Sequence, residues 1–360
     1  MQSGAMMWDR AMAAGGFGLP LVAGLFVGAV TPGGLPALQD DRPPMLHHVH
    51  LNSTDPTAAI AWYRSLWPAG QAGELAGYPA FLAEMPVLFN AVDAAPPGGW
   101  DRERQRAHPQ SPFWHIGAFV NTTGLLEELE GRGFEVLRLM TGPEDSRGVL
   151  RSGLTPYDGI VTEDRIRDAE PAEPRDGGFS YLVGPDGALV ELTGSPQTSP
   201  AFAHVHLFHE NPRCAANWYV EVLGFQHAPY RDPESGERLE RVRWEPCEAA
   251  PGPAGWPSLE QGGTVRAPNA TVIHGSGSIS IYPRQCFGDR CDINAPLVPS
   301  AEQVLDHVAF ETGDFDALLQ RVEQMGVQVL RGPYAFGETR AVMLRGPDGL
   351  SVEMVEWAGR

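Results

Sequence analysis

Apolar and polar residues follow two different periods along this chain. Short runs with a period of two, such as His48–Leu51 (HVHL), predict strands with one buried face. Runs with apolar residues three or four positions apart predict helices, as in Thr57–Trp67, where Ile60 and Tyr63 share a stripe. Helices that alternate with groups of strands indicate an α+β fold. The same period predicts three further helices, over Gly124–Gly131, Cys214–Leu223 and Phe315–Met325.

The strand start HVHL occurs twice, at His48 and at His204, so the offset is 204 − 48 = 156 residues. The same offset carries Trp62 onto Trp218 without a gap. Self-similarity at a fixed offset indicates repeated structural units. The stretches that follow the two strand starts are therefore interpreted as related modules.

A second pair of strand starts lies between and after the first pair. HIGAF begins at His115 and HVAFE begins at His307, and each leads into a predicted helix. Each of these stretches ends in a GPDG turn, which predicts a hairpin, and a strand that carries Glu191 or Glu353. The chain therefore has four related modules in the order A-B-A-B.

We expect neighbouring modules to pair into two domains, because the chain divides into two halves of the same A-B order. A run rich in Pro and Gly, Ala94–Gln110, is typical of a linker between modules. The first domain is predicted over residues 45–195, from modules 45–105 and 112–194, and the second over 200–358, from modules 201–284 and 304–357.

Composition and charge exclude some classes of function. The apolar content of 42% and the charged content of 20% are those of a globular protein. A formal charge of −19 argues against nucleic acid or an anionic membrane surface as a partner, since both need a basic surface. We therefore expect a small-molecule substrate and no nucleic-acid partner.

Residues 1–40 differ from the rest of the chain. Gly15–Val30 is apolar and uncharged, and Arg10 precedes it. This apolar run is shorter than the roughly 20 residues of a membrane span and suits a signal peptide. The alternative is a disordered N-terminal arm. We expect export to the periplasm or the outside, with a mature start between Val30 and Asp41 and no membrane span in the mature chain. Without export, the protein is expected in the cytoplasm.

The four cysteines all lie in the second half of the chain. Cys286 and Cys291 flank a short loop (CFGDRC), and in an exported chain they could form a disulfide bond. Their spacing does not resemble a zinc–thiolate site.

The candidate chemistry lies at the strand starts. A lone histidine at a strand start is more often a structural residue than a ligand, and a glutamate in an apolar strand is costly unless it is paired or metal-bound. Recurrence of the histidine in all four modules, with a glutamate in both even ones, favours metal binding. Two imidazoles and one carboxylate per site suit Fe(II), Mn(II) or Zn(II). The residues are His48, His115, His204, His307, Glu191 and Glu353.

These motifs resemble the vicinal oxygen chelate (VOC) superfamily, which includes glyoxalase I, extradiol dioxygenases and bleomycin- or fosfomycin-resistance proteins. The resemblance rests on the HVHL strand starts, on WYVEVLGF from Trp218, and on GPDG followed four residues later by glutamate. It covers Met45–Trp357. It implies four βαβββ modules paired into two half-barrel domains, each around one divalent metal.

By this resemblance the first site would consist of His48, His115 and Glu191, and the second of His204, His307 and Glu353. The implied function is a metal-dependent enzyme, acting as a lyase or isomerase or as an extradiol-type dioxygenase on a small oxygenated substrate. The alternative is a non-catalytic protein that binds or sequesters small molecules. The sequence leaves a homodimer possible and does not determine the oligomeric state. Some relatives add a ligand from the odd module, where Asn90 and the Ser280–Tyr282 strand lie here.

Three further residues are candidates for catalysis. His50 and His206 should face the same side as the strand-start histidines, where they could act as acid or base, or be buried polar residues. Tyr181 stands ten residues before the first glutamate, as in the extradiol pattern, and could donate a proton. Met343 stands at that place in the second half.

The surroundings of the two predicted sites differ. Thr141–Gly178 would form a surface excursion or lid over the first site. The helix motif matches the family better in the second half, so the second site is expected to be the catalytic one.

Overall fold

The computed structural model describes residues 42–104, 106–121, 126–137, 178–194, 199–228, 230–231, 238–239, 270–282 and 296–359. The N-terminal segment, most of the Thr141–Gly178 excursion and the Cys286–Cys291 pair lie outside these residues. The signal peptide, the lid and the disulfide bond between that pair therefore stay predictions. None of the helices within the described residues has the length and apolarity needed to cross a membrane.

The first two modules each have a long strand, a helix and three more strands, and a short strand pair lies between them. The elements are β1 (Met45–Ser53), α1 (Pro56–Leu66), β2 (Gln71–Leu75), β3 (Tyr78–Leu82), β4 (Val87–Ala91), β5 (Trp100–Asp101), β6 (Arg106–Ala107), β7 (Phe113–Val120), α2 (Leu126–Gly131), β8 (Glu135–Leu137), β9 (Gly178–Val183) and β10 (Leu189–Gly194).

The third and fourth modules have the same order, and a short strand pair lies within the third. The elements are β11 (Ala201–Phe208), α3 (Pro212–Trp218) with a π-helical extension (Tyr219–Leu223), β12 (Gln226–His227), β13 (Tyr230–Arg231), β14 (Arg238–Leu239), β15 (Ala270–His274), β16 (Gly277–Tyr282), β17 (Leu305–Thr312), α4 (Phe315–Gln324), β18 (Val329–Phe336), β19 (Thr339–Arg345) and β20 (Ser351–Glu356).

The modules combine into two eight-stranded mixed sheets, as the predicted α+β fold requires. The outer sheet joins the first and fourth modules in the order β18-β19-β20-β17-β1-β4-β3-β2. The inner sheet joins the second and third modules in the order β12-β15-β16-β11-β7-β10-β9-β8. The fold class is therefore confirmed, with four βαβββ modules in two paired sheets.

The predicted pairing of neighbouring modules is wrong. In the outer sheet β1 runs antiparallel to β17, so that His50 lies opposite His307. In the inner sheet β7 runs antiparallel to β11, so that His206 lies opposite His115. Each sheet still combines an odd module with an even one, so the A-B-A-B pattern is compatible with both pairings. The boundaries 45–195 and 200–358 do not separate the two sheets.

Short capping motifs begin three of the helices. Asp55 accepts a hydrogen bond from the Ala58 amide at 2.9 Å before α1, and Asn211 accepts one from the Cys214 amide at 3.2 Å before α3. Asp314 caps α4 in the same way. A side-chain oxygen at this position satisfies a backbone donor that the helix leaves free. Each cap thus fixes the start of the helix that follows a strand with candidate ligands.

The helices cover the sheets through a continuous apolar core. Tyr63 on α1 is fully buried, and its ring lies 5.6 Å from that of Phe81 on β3. Tyr219, at the equivalent place after α3, is also fully buried and stacks on Phe225. Burial of large aromatic rings contributes strongly to stability. The core therefore holds each first strand rigidly against its helix.

Both GPDG turns connect the two sheets. Asp186 accepts hydrogen bonds from the Ser53 hydroxyl at 2.6 Å and from the Thr54 hydroxyl at 2.8 Å, at the end of β1. Asp348 accepts one from the Glu210 amide at 3.0 Å and lies 2.9 Å from His209 Nδ1, just after β11. The turn of each even module is thus bonded to the odd module that precedes it in the chain, which belongs to the other sheet.

Replacing Asp186 or Asp348 with alanine is expected to lower the free energy of unfolding by about 1–3 kcal/mol, because hydrogen-bond donors of the other sheet lose their acceptor. Asparagine at either place should cost less, because it keeps one acceptor oxygen. The measurement is urea denaturation, with the exposed Asp93→Ala as the control. Equal stability of all these variants would contradict a bridging role for the turns.

Acid sensitivity is expected from His274, at the end of β15. The side chain is 5% exposed, its Nδ1 lies 3.0 Å from the Ser276 hydroxyl, and burial lowers its pKa to about 4. The unfolded chain therefore binds a proton at this residue at a higher pH than the folded chain does. Stability should be complete above the unfolded pKa of about 6.5 and should be lost as the pH falls toward 4.

At about pH 5 the contribution of His274 is expected to reach about 2 kcal/mol of destabilisation relative to neutral pH. His274→Gln should remove that part of the loss. Urea denaturation at the two pH values, on both proteins, measures it. A variant whose stability falls as steeply as that of the wild type would refute this assignment.

Candidate metal centres

The outer site consists of four side chains on one face of the outer sheet. His48 and His50 lie on β1, His307 on β17 and Glu353 on β20. His48 Nε2 lies 3.0 Å and His307 Nε2 3.7 Å from Glu353 Oε2. His50 Nδ1 lies 3.1 Å from His307 Nε2. Three imidazoles and one carboxylate thus converge here.

The inner site has the same composition on the inner sheet. His115 lies on β7, Glu191 on β10, and His204 and His206 on β11. Glu191 Oε2 lies 2.5 Å from His115 Nε2, 3.0 Å from His204 Nε2 and 3.5 Å from His206 Nδ1. One carboxylate oxygen is therefore the common neighbour of three imidazoles.

The predicted ligand residues all reach a site, but the predicted sets are wrong. His48 joins His307 and Glu353 instead of His115 and Glu191. His204 joins His115 and Glu191. The cause is the module pairing, because each first strand is paired across the antiparallel centre of its own sheet. The expectation of a catalytic site confined to the second half of the chain fails for the same reason.

Several buried polar atoms in the two sites have no hydrogen-bond partner. In the outer site these are His48 Nε2, His50 Nε2 and Glu353 Oε2, and in the inner site both ring nitrogens of His115 and His206 Nδ1. Such atoms are rare in proteins and require an explanation. His48 and Glu353 face each other at 3.0 Å without hydrogen-bond geometry, which suits two ligands directed at one ion. The donor sets therefore fit a divalent metal.

The distances within each site also fit a single ion. Donor atoms of His48, His50 and His307 lie within 4.8 Å of one another, and so do those of the four inner-site residues. Ligand atoms about 2.1 Å from a shared ion cannot be more than about 4.2 Å apart. A small contraction of each site would bring its donors to bonding distance.

Burial sets the protonation of the outer site. It lowers the pKa of His48 and lowers that of His50 to about 2, where repulsion from His307 adds to the effect. Burial would raise the pKa of Glu353, but the neighbouring imidazoles of His307 and His48 hold it well below the ordinary value. Neutral imidazoles beside an ionised carboxylate are the forms that bind a metal.

The inner site has the same electrostatic character. Burial lowers the pKa of His115 and lowers that of His206 further. Burial would raise the pKa of Glu191, but the charges of His204 and His115 hold it well below the ordinary range. The carboxylate is therefore ionised at neutral pH.

The outer-site imidazoles are held from behind by residues that the sequence did not reveal as candidates. Asp306 Oδ1 lies 2.7 Å from His307 Nδ1. Asp306 is itself fixed by hydrogen bonds from Asn52 at 3.1 Å and from the Glu302 amide at 2.7 Å. A carboxylate behind a ligand histidine fixes its tautomer and raises its basicity. The signal was present, since Asp306 directly precedes the strand-start histidine (LDHVAF).

These contacts also determine the charge of His307. Burial alone would lower the pKa of His307, but its hydrogen bond to Asp306 and the neighbouring Glu353 carboxylate raise it to about 9. His48 is held similarly, with its Nδ1 2.7 Å from His47 Nδ1. The rings of His48 and His307 are thus oriented before any metal binds.

A tyrosine lies beside the carboxylate in each site. Tyr181 on β9, ten residues before Glu191, is its cross-strand partner, and its ring lies 5.3 Å from that of His115. Met343, ten residues before Glu353, is the cross-strand partner of Glu353. In the outer site, however, Tyr334 on β18 donates a hydrogen bond to Glu353 Oε1. Burial raises the pKa of both tyrosines, so both phenols stay protonated.

The positions of the odd modules from which some relatives add a ligand, Asn90 and Ser280–Tyr282, contact residues around the two sites. The Asn90 amide donates to Asn52 Oδ1 at 3.0 Å, and Asn52 in turn holds Asp306. Ser280 is paired with His206 across parallel strands, and the ring of Tyr282 lies 5.2 Å from that of His206. Asn90 thus belongs to the support behind His307.

The two sites differ in what surrounds them. Phe336 stacks on His48 with ring centroids 5.0 Å apart. Phe336 and His47 also line a cavity of about 990 Å³ at that end of the outer sheet. The inner site lies against an aromatic cluster in which Trp114 stacks on Phe208 at 4.3 Å. None of the four outer-site side chains lines this cavity, so Phe336 and His47 lie between the cavity and the site.

Comparison with known proteins agrees with this architecture. Residues 201–354 match the family model of the Glyoxalase/Bleomycin resistance protein/Dioxygenase superfamily. The match covers less than half of the chain, and the matched region holds the third and fourth modules, which lie in different sheets. No curated protein sequence matches this chain.

Solved structures show a similar fold over most of the chain. Glyoxalase I from Zea mays is 13% identical, with a TM-score of 0.51, over 87% of this chain and 92% of that one. A mutant of that enzyme is 12% identical, with the same TM-score of 0.51, over 87% and 94%. A putative dioxygenase from Bacillus subtilis is 10% identical over 88% and 86%, with a TM-score of 0.49. At these identities the likeness concerns the fold alone.

Proposed function

We propose that this protein is a divalent-metal-dependent enzyme that acts on a small molecule with two neighbouring oxygen atoms. One observation carries the proposal. In each sheet, strand-start imidazoles and one glutamate converge, with buried nitrogen and oxygen atoms that have no hydrogen-bond partner. Fe(II), Mn(II) and Zn(II) are the metals that suit such ligands.

We propose that catalysis takes place at the outer site. His48, His307 and Glu353 would hold the ion, which when bound would supply a Lewis acid or, as iron, a centre for dioxygen chemistry. Asp306 keeps His307 oriented, and Phe336 limits the access of water from the cavity side. Tyr334, protonated beside Glu353, can donate a hydrogen bond to a substrate oxygen. The cavity of about 990 Å³ has the volume that a small substrate needs, and Phe336 lies between it and the ligands.

The non-catalytic alternative is less well supported. A protein that only binds small molecules needs a pocket but does not need a buried set of ionised and neutral ligands, which is costly without an ion. Two complete sets, with supporting residues behind one of them, favour metal chemistry.

Metal analysis tests the proposal first. Protein purified without added metal, and protein dialysed against each candidate metal, should bind about two ions per chain, since two sets are present. Oxygen uptake with catechols and anaerobic conversion of α-hydroxycarbonyl compounds then separate the dioxygenase class from the lyase and isomerase class. A metal content near zero after replete dialysis would favour the binding protein instead.

We also propose that the protein is exported. Support comes from the apolar Gly15–Val30 segment and from Cys214, which is disulfide-bonded, since such bonds persist in oxidising compartments. N-terminal sequencing of protein recovered from its own cells should give a start between Val30 and Asp41. An intact Met1 would contradict export.

A further inference from the structure

We infer that His50 and His206 are metal ligands, so that each site offers three imidazoles and one carboxylate. The inference rests on the proposed metal dependence and goes beyond the two-histidine, one-glutamate set. The sequence suggested an acid or base, or a buried polar residue, at these positions. Two symmetric observations favour a ligand.

The first observation is strand register. His50 lies directly opposite His307 in the antiparallel pair of β1 and β17. His206 lies directly opposite His115 in the pair of β11 and β7. Directly paired residues project from the same face of a sheet with adjacent side chains. In each site the additional imidazole therefore projects from the position opposite the strand-start histidine of the even module.

The second observation is which ring atom faces the other ligands. His50 presents Nδ1, 3.1 Å from His307 Nε2, and His206 presents Nδ1, 3.5 Å from Glu191 Oε2. The strand-start histidines present Nε2 in both sites. Two donors about 2.1 Å from one ion and about 90–110° apart are separated by about 3.0–3.4 Å. The separations of the fourth imidazoles are close to those of two ligands on a shared ion.

A hydrogen-bond role explains these atoms less well. His206 Nδ1 is buried and has no hydrogen-bond partner, although Glu191 is near. His50 Nδ1 lies within hydrogen-bond distance of His307 Nε2, and its other ring nitrogen, Nε2, is buried without a hydrogen-bond partner.

A fourth protein ligand changes the chemistry available. Three imidazoles favour Fe, Ni, Cu or Zn over Mg or Ca, which prefer oxygen ligands. A six-coordinate ion with four protein ligands keeps two positions. Two positions are what a substrate needs to chelate through two neighbouring oxygens.

Cobalt titration tests the inference, because the visible spectrum of Co(II) reports its ligands. The proteins are the wild type, His50→Ala, His206→Ala, and His227→Ala on β12 as a matched control outside both sites. His50→Ala and His206→Ala should each bind one of the two ions at least about 10-fold more weakly, as expected when a ligand is lost, with an altered spectrum. His227→Ala should match the wild type. His50→Asn, which returns a donor near the Nδ1 position, should recover part of the affinity and serves as the variant if His50→Ala misfolds.

The outcomes distinguish the two proposals. Wild-type affinity and spectrum in the His50 and His206 variants would overturn the inference and leave metal dependence standing. Absence of cobalt binding by the wild type itself would overturn both. X-ray absorption of the cobalt protein should count three imidazoles per ion, and a count of two would also overturn the inference.

Discussion

Replacing Glu353 with alanine is expected to lower the metal content from about two ions per chain to about one and to abolish turnover. Glu353 is the carboxylate that faces His48 and His307, and it accepts the Tyr334 hydrogen bond. Without it, the three remaining imidazoles supply no negative charge to compensate that of the ion. Removal of a ligand carboxylate from a buried site should therefore cost the outer site its metal.

The second ion should stay bound in the Glu353 variant, because Glu191 holds its own three imidazoles in the other sheet. Glu356→Ala is a matched control on the same strand, since that carboxylate forms an ion pair with the exposed Arg340. Elemental analysis and a turnover assay on the wild type and on the Glu353→Ala, Glu356→Ala and Glu191→Ala variants measure the result. Glu191→Ala should lose the other ion and keep turnover.

Two results would contradict this assignment. Turnover that survives Glu353→Ala and is lost in Glu191→Ala would move catalysis to the inner site, with Tyr181 as its proton donor. Loss of both ions in one variant would mean that the sites are coupled, which the GPDG contacts between the sheets could cause.

The identity of the ligands could be predicted from the sequence because it depends on local pattern. A strand start fixes which face a histidine projects from, and a glutamate in an apolar strand needs a partner wherever the strand lies. His48, His115, His204 and His307 were found for this reason. The fold class could be predicted because the period of the pattern changes from strands to helix in every module.

The partners of the ligands could not be predicted from the same pattern. Strand pairing between modules is non-local, and the first strands of both odd modules have the same sequence, HVHL. Either even module therefore satisfies the pattern as a partner. Tyr334 was missed because it contacts Glu353 from β18, which lies two strands away. The position ten residues before the glutamate lies on the adjacent strand and is Met343.

The pairing of the modules predicts that neither half of the chain folds without the other. A fragment of residues 42–195 is expected not to fold by itself, although it contains two complete modules. It holds β1 without its partner β17, and β7 without its partner β11. Each half-sheet would expose a central strand edge and the apolar face that packs against the missing modules. The fragment 199–359 should fail for the same reason.

Mixing the two fragments should restore the fold, since together they supply all four modules. Far-UV circular dichroism and urea denaturation measure the fragments alone and mixed, and sedimentation gives their association state. The mixture should unfold cooperatively as a 1:1 complex with about two metals, and each fragment alone should show no cooperative transition. The intact chain cleaved between residues 195 and 198 after folding is the control and should stay assembled. A folded, monomeric 42–195 fragment that binds one metal through His48, His115 and Glu191 would show that neighbouring modules pair after all, because only that pairing brings these three side chains together.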